Sequence, residues 1–246
     1  MTVLRLENLV KSFGGIDAVN RVSLQIEAGD RHAILGPNGA GKTTLFNLIS
    51  GIYTCTSGRI TLFDQDVSAY PVHRRAALGL SRTFQISNLF FGLTLFENIL
   101  LSVQAREACK FSLHRRLTSY KYLNDRVESY LKRWNLGNKR DDVVANLSHG
   151  EQRQLEIIMA LATNPRFLLL DEPTAGLSTA DTAMMAKFLK EIERDITILL
   201  IEHDMAVAFE VANYITVMHY GRIIADGSPE EIRKNSQVLE IYFGED

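Results

Sequence analysis

The stretch 36-GPNGAGKT-43 decides how this chain is read. It fits the pattern Gly-x4-Gly-Lys-Thr without a mismatch. It lies between a short apolar strand pattern, Arg31 to Leu35, and a helical pattern, Thr44 to Ser50, with Gly51 placed as the helix cap. Gly36, Gly39 and Gly41 let successive backbone N–H groups converge on a phosphate without obstruction from a Cβ atom. The start of the following helix adds its dipole to that cradle. Lys42 supplies a point charge for the β- and γ-phosphates, and Thr43 a hydroxyl for Mg2+. The residues expected to enclose the phosphates are Gly36, Pro37, Asn38, Gly39, Ala40, Gly41, Lys42, Thr43 and Thr44.

A second stretch, 167-FLLLDE-172, is an apolar strand that delivers two carboxylates at its C-terminal end, where open α/β sheets bind ligands. Adjacent strand residues point to opposite sides, so the two carboxylates can have separate tasks. Asp171 suits the Mg2+ shell, and Glu172 suits the base that orients the attacking water. The run Leu147 to Gln152 holds a Ser-x-x-Glu box, Ser148 and Glu151, at the start of a helical pattern. It reads equally as a plain helix cap and as a hydroxyl with free helix N–H groups able to hold an anion. Three lone residues stand beside these motifs: Phe13 before the Gly14-Gly15 turn, Gln85 at the end of the first α/β segment, and His203 just after the apolar run Ile196 to Ile201.

The surrounding texture is α/β. Residues 2–27 alternate as β structure, and Ile60 and Leu62 mark another strand after Gly58. The continuous apolar runs at 167–170 and 196–201 have the character of parallel strands buried on both faces. Helices are expected over 181–194 and 205–211. A hairpin is expected around Tyr220-Gly221, and a final helix starts at Ser228-Pro229. Between Leu89 and Leu147 the strand patterns vanish and leucine, arginine and lysine take helical spacing. The expected organisation is one domain, 1–246, with a core of 1–85 and 149–246 and an inserted helical subdomain of 86–148.

The chain has 246 residues, 46% hydrophobic and 23% charged, an ordinary globular mixture. Its 27 basic and 29 acidic residues leave a net charge of −2, which argues against a dedicated nucleic-acid binder. One segment, Lys110 to Arg140, runs against that balance with nine basic and two acidic residues. It reads as a solvated helical face, as a surface drawn to anionic lipid, or as a grip on a phosphate backbone. Cys55 and Cys109 have no metal-ligand spacing and read as reduced thiols. Arg5 and Glu7 interrupt the N-terminal stretch where a secretory signal needs an apolar run, and no segment has the length of a membrane span.

Taken in order, Phe13, the loop 36–43, Gln85, the box 147–152, Asp171-Glu172 and His203 make the chain resemble the ATP-binding cassette family along essentially its full length. The segment Gly176 to Asp181 resembles that family's dimer-contacting loop. The resemblance implies a P-loop ATPase fold with an N-terminal antiparallel β subdomain and a helical subdomain inserted in the core. It also implies a head-to-tail dimer holding two ATP molecules. Phe13 would stack on adenine, Gln85 would join Mg2+ and sense a membrane partner, and His203 would meet the γ-phosphate. Ser148, His149, Gly150 and Glu151 would reach the partner subunit's ATP. His149 and Glu151 depart from the family's common Leu-Ser-Gly-Gly-Gln. A finer likeness, in FGGIDAVNRVSL, RTFQ, LTLFENIL, IEHDM and the ending GSPEEIRKNSQVLEIYFGE, is to branched-chain amino acid importer ATPases. That likeness implies two membrane permeases, a second ATPase and a secreted solute-binding protein, with this chain peripheral on the cytoplasmic face of the inner membrane. The alternative is a soluble cassette acting on nucleic acid or ribosomes.

Overall fold

A computed structural model describes residues 1–83, 89–105, 107 and 119–243. Gln85, Cys109 and the 110–118 part of the basic segment lie outside the described residues. The chain divides into two compact units, one formed by Met1–Arg82 with Arg166–Asp246 and the other by Thr83–Pro165.

The first unit is built on two sheets. The first has the order β2-β1-β4-β5, with β1 Thr2–Phe13, β2 Ile16–Glu27, β4 Ser57–Leu62 and β5 Gln65–Asp66, all antiparallel. This is the expected N-terminal antiparallel subdomain. The second sheet has the order β10-β9-β3-β8-β7-β6. Here β3 is Arg31–Leu35, β6 Leu80–Arg82, β7 Phe167–Asp171, β8 Thr197–Ile201, β9 Tyr214–His219 and β10 Arg222–Gly227. Strands β9, β3, β8, β7 and β6 run parallel, and β10 closes the edge antiparallel to β9. Every residue of β3, β7 and β8 is buried, as continuous apolar runs require in a parallel sheet. The β9–β10 hairpin turns at Tyr220-Gly221, both with positive φ, which matches the right-handed twist of the strands it joins.

Helix α1, Lys42–Ser50, buries Leu45, Phe46, Leu48 and Ile49 in one hydrophobic core shared by both sheets. Each such side chain contributes about 1.5–3 kcal/mol of transfer free energy. The helix ends on Gly51 in the left-handed conformation, as its sequence position predicts. Its last carbonyls also have a partner that the sequence did not reveal. Arg75, on α2 (Val72–Ala77), is 1% exposed and donates from Nη1 to the carbonyls of Leu48 at 2.6 Å and Ile49 at 2.8 Å. A cation at a helix C-terminus is favoured by the helix dipole and satisfies carbonyls that the helix leaves unpaired. Arg31 does the same for α6 (Thr179–Glu191), donating to the carbonyls of Leu189 and Ile192. The unit is completed by α7 Met205–Val211, α8 Pro229–Lys234 and α9 Ser236–Phe243.

The second unit contains α3 Leu95–Gln104, α4 Lys121–Arg133 and α5 His149–Ala162. It extends past the expected boundary at 148 as far as Pro165, because α5 packs against α3 and clusters with it. The Ser148 box marks the start of a helix, which is not the end of the unit.

Candidate functional site

The parallel strands β3, β8 and β7 are neighbours, so the loops leaving their C-terminal ends gather at one edge of the sheet. After β3 comes the glycine-rich loop, after β7 come Asp171 and Glu172, and after β8 come Glu202 and His203. Residues separated by more than a hundred positions in sequence are collected there by register alone. Asp171 lies opposite Ile201, and Ile34 lies opposite Ile201 on the other side of β8.

The loop itself has the shape expected of an anion cradle. Gly36, Gly39 and Gly41 all have positive φ, and Gly41 opens α1 with no side-chain cap. The first amides of α1 are therefore not satisfied by a capping side chain, as an anion-binding helix start requires. Gly41 is also forced by space, since a Cβ there would lie 2.2 Å from the Ala18 carbonyl oxygen. Pro37 is half-buried, Asn38 and Gly39 are exposed, and Ala40 is buried. Lys42 is buried and folds back to donate to the carbonyls of Gly36 at 2.6 Å and Pro37 at 3.0 Å. Burial pulls its ammonium pKa down, and the carboxylates of Glu172 and Asp171 act in the opposite direction. Thr43 is exposed and Thr44 half-buried in the first turn of α1.

Asp171 is buried at the end of β7, whereas Glu172 is half-exposed and has φ 48°, a left-handed conformation unusual outside glycine. The Glu172 backbone N–H donates to the Ile201 carbonyl at 3.0 Å, which ties it to the neighbouring strand. Glu202 is completely buried, and its Oε1 accepts from the Thr174 N–H at 3.2 Å and hydroxyl at 2.8 Å. It thereby joins the strand end before His203 to the loop that follows Glu172. Burial pushes the Glu202 carboxyl up, partly opposed by the Thr174 bonds. His203 is exposed beside it.

Phe13 ends β1 with 44% exposure, its ring edge-on to Tyr53 at 5.4 Å and under the Lys11 ammonium at 4.9 Å. An exposed aromatic held this way can offer a face to a base. The Tyr242 phenol of α9 is pushed up to about 12 by burial, with the Gly36 backbone amide acting the other way. No local pattern marks Tyr53, Glu202 or Tyr242, because the partners described above for their side chains, Phe13, Thr174 and Gly36, are distant in sequence.

In the second unit Ser148 caps α5, and Glu151 returns the bond to the Ser148 N–H at 3.0 Å, which is a complete capping box. Glu151 is also ion-paired with Lys139. Burial raises its carboxyl pKa, but the bonds from Lys139 and Ser148 outweigh that and hold it below the ordinary range. Glu151 is thus committed to its own helix start, while Ser148 and His149 are exposed and Gly150 half-buried. Gln152 anchors the same turn by donating to the Val144 and Leu147 carbonyls. Phe90 and Phe91 are exposed, and their turn is held by buried Asn98, which bonds both the N–H and the carbonyl of Phe90.

Among the described residues no group of three or more His, Cys, Asp or Glu forms a metal cage. The donors on offer are the Thr43 hydroxyl and the Asp171 carboxylate. That set fits Mg2+, which binds through one or two protein oxygens and completes its shell with phosphate and water. Two open clefts of about 810 and 760 Å3 lie along β1, β2 and the β9–β10 hairpin, and no residue of the glycine-rich loop lines either. No described helix is long and apolar enough to cross a membrane.

The glycine-rich loop after β3, the acidic pair after β7 and the histidine after β8 thus meet at one edge of the sheet, and the family of the chain follows from comparison with known proteins. The model of the ABC transporter family matches residues 19–175, so the chain belongs to that family and is one of its transport-coupled, ATP-binding cassette ATPases. A second model, of the branched-chain amino acid ATP-binding cassette transporter, matches residues 222–246. The chain is 38% identical over 250 residues to the high-affinity branched-chain amino acid transport ATP-binding protein LivG of Salmonella typhimurium, covering 99% of this chain and 98% of the relative. It is also 33% identical over 247 residues to the lipopolysaccharide export system ATP-binding protein LptB of Escherichia coli, covering 100% and 99%. Among solved structures, the ADP conformation of MJ1267, an ATP-binding cassette of an ABC transporter, superimposes with a TM-score of 0.88 at 32% identity over 100% of both chains. The dimeric post-hydrolysis cassette MJ0796, bound to ADP and Pi, gives 0.75 at 26% identity over 92% of this chain and 98% of that one. The alternative of a cassette acting on nucleic acid or ribosomes finds no support in these relatives.

Proposed function

We propose that this chain is the ATPase subunit of an importer for branched-chain or other hydrophobic amino acids. The observation that carries the reading is the full-length similarity to LivG, joined to the separate match of residues 222–246 to the branched-chain amino acid transporter model. In this reading two cassettes, identical or paired with a second ABC ATPase, close on two ATP molecules and drive two transmembrane permeases. A solute-binding protein delivers the amino acid from outside. The chain sits peripherally on the cytoplasmic face of the inner membrane, and exposed Phe90 and Phe91 suit contact with a permease. The dimeric neighbour with ADP and Pi supports the paired arrangement.

In this reading the residue roles are those the resemblance implies, and the described positions support them for every residue except Gln85, which lies outside the described residues. The loop Gly36 to Thr44 holds the phosphates, and Lys42 leaves the Gly36 and Pro37 carbonyls to meet the β- and γ-phosphates. Thr43 and Asp171, with Gln85, serve Mg2+. When bound, that ion neutralises charge developing on the phosphoryl oxygens. Glu172 takes the proton of the attacking water, and His203 faces the γ-phosphate. Phe13 stacks on adenine. Ser148, His149 and Gly150 address the ATP of the other cassette, and Glu151 fixes the helix start that presents them.

LptB is the specific reason to weigh an exporter as the second reading. Proteoliposomes carrying this chain, the permeases encoded with it and the solute-binding protein separate the two. Uptake of radiolabelled leucine that needs ATP supports the importer. ATP hydrolysis that no amino acid stimulates, with no uptake, would sink it.

A further inference from the structure

Arg82, the last residue of β6, makes a contact that none of the roles above uses. Its Nη2 donates to Asp171 Oδ2 at 2.8 Å, while Nη1 donates to Asn47 Oδ1 at 2.7 Å and Ser50 Oγ at 2.9 Å. The guanidinium also lies over the Phe46 ring, 5.7 Å from its centroid. The ion pair is buried, with side-chain exposures of 8% for Arg82 and 1% for Asp171.

Asn47 and Ser50 stand four and seven positions after Thr43 on α1, which puts all three on one face of the helix. The helix face that starts with the Thr43 hydroxyl is therefore the face that Arg82 fastens to Asp171. Planar geometry lets one guanidinium hold both at once, which a lysine ammonium cannot do in the same fixed fork. The fork reaches Asp171 through Oδ2, and the pairing satisfies a buried carboxylate that would otherwise be costly.

Resting on the reading that Thr43 and Asp171 serve Mg2+, we infer that Arg82 is a positioning residue of the metal subsite: by gripping Asp171 with one arm and Asn47 and Ser50 with the other, it sets Asp171 relative to Thr43. Groups that orient metal ligands typically govern metal affinity by about 10–100-fold. A role confined to folding would weaken every form of nucleotide binding alike.

The test is titration of the full-length protein with a fluorescent ATP analogue, once with Mg2+ and once with EDTA. For Arg82→Gln the Mg2+-dependent gain in affinity is expected to fall by about 10-fold or more, with the affinity in EDTA close to that of the unmodified chain. Asn47→Ala leaves the ion pair in place and carries the same test if Arg82→Gln does not fold. Its expected effect is a smaller loss, again confined to the Mg2+ titration. Equal weakening in both titrations, or no change in either, overturns the proposal. If the unmodified chain binds the analogue under neither condition, the functional reading falls and takes the proposal with it.

Discussion

Gly39 and Gly41 are two positions apart in the phosphate loop, both have positive φ, and alanine should fail at each for a different reason. At Gly39, with φ 81°, an added Cβ meets nothing within 4 Å. Only the left-handed backbone strain is charged to Gly39→Ala, about 1–2 kcal/mol. At Gly41, with φ 99°, the Cβ would lie 2.2 Å from the Ala18 carbonyl oxygen and 3.4 Å from Gly221 Cα, both backbone atoms of elements that cannot swing aside. Overpacking of that kind adds about 1–3 kcal/mol to the same strain, so Gly41→Ala should cost about 2–5 kcal/mol in all. For a chain of this size 1 kcal/mol corresponds to about 2–4 °C in Tm. The expected drops are then about 2–8 °C for Gly39→Ala and about 4–20 °C for Gly41→Ala. Differential scanning calorimetry without nucleotide reads them side by side. Gly39→Ala should in turn lose ATP affinity out of proportion to its small stability loss, because the open space beside it belongs to the proposed phosphate site. If Gly41→Ala melts no lower than Gly39→Ala, the packing argument for the loop is wrong.

Glu172→Gln should keep ATP binding while hydrolysis stalls, and an ATP-bound dimer should then appear on size-exclusion chromatography; turnover at the unmodified rate would remove Glu172 from the role of base. Phe13→Ala should weaken binding by about 1–3 kcal/mol through lost stacking while leaving inorganic tripolyphosphate binding unchanged, and a loss shared by both ligands would place Phe13 elsewhere. Glu202→Gln can keep an oxygen for Thr174 but cannot ionise. The Glu202 carboxyl is raised in the folded state above its ordinary 4.5, so its stabilising effect is complete below that value and is lost as pH rises through the folded pKa. The variant should therefore melt at or above the unmodified chain at pH 8, with the gap closing towards pH 4.5. A gap that widens on acidification contradicts the assigned direction.

Much of this arrangement was legible because its signals are local. The glycine loop lies between a strand and a helix in sequence as in space, the Ser148 box forms as its spacing requires, and the last expected helix start, Ser228-Pro229, is likewise a capping box with Glu231. The β9–β10 turn likewise declares itself in Tyr220-Gly221. Helix α1 begins two residues earlier than its apolar pattern suggests, because Gly41 in the left-handed conformation starts the helix without a capping side chain. Helix α2 and strand β6 leave no such local signal. They are six and three residues long, and β6 is defined by pairing with β7, some 87 positions away in register. Arg75, Arg82 and Glu202 are charged residues that a sequence pattern assigns to the surface. Their burial depends on partners from other elements, backbone carbonyls for Arg75, the Asp171 carboxylate for Arg82 and the Thr174 N–H and hydroxyl for Glu202, and no spacing within the chain announces those partners.

The most direct measurement is affinity purification of this chain from detergent-solubilised native membranes, with mass spectrometry of what comes with it. The account predicts two permease subunits and a second ATP-binding cassette, in a complex that hydrolyses ATP faster when a loaded amino acid-binding protein is added. A complex built instead around a lipopolysaccharide export apparatus, or around ribosomal or DNA-repair proteins with no permease present, would contradict it.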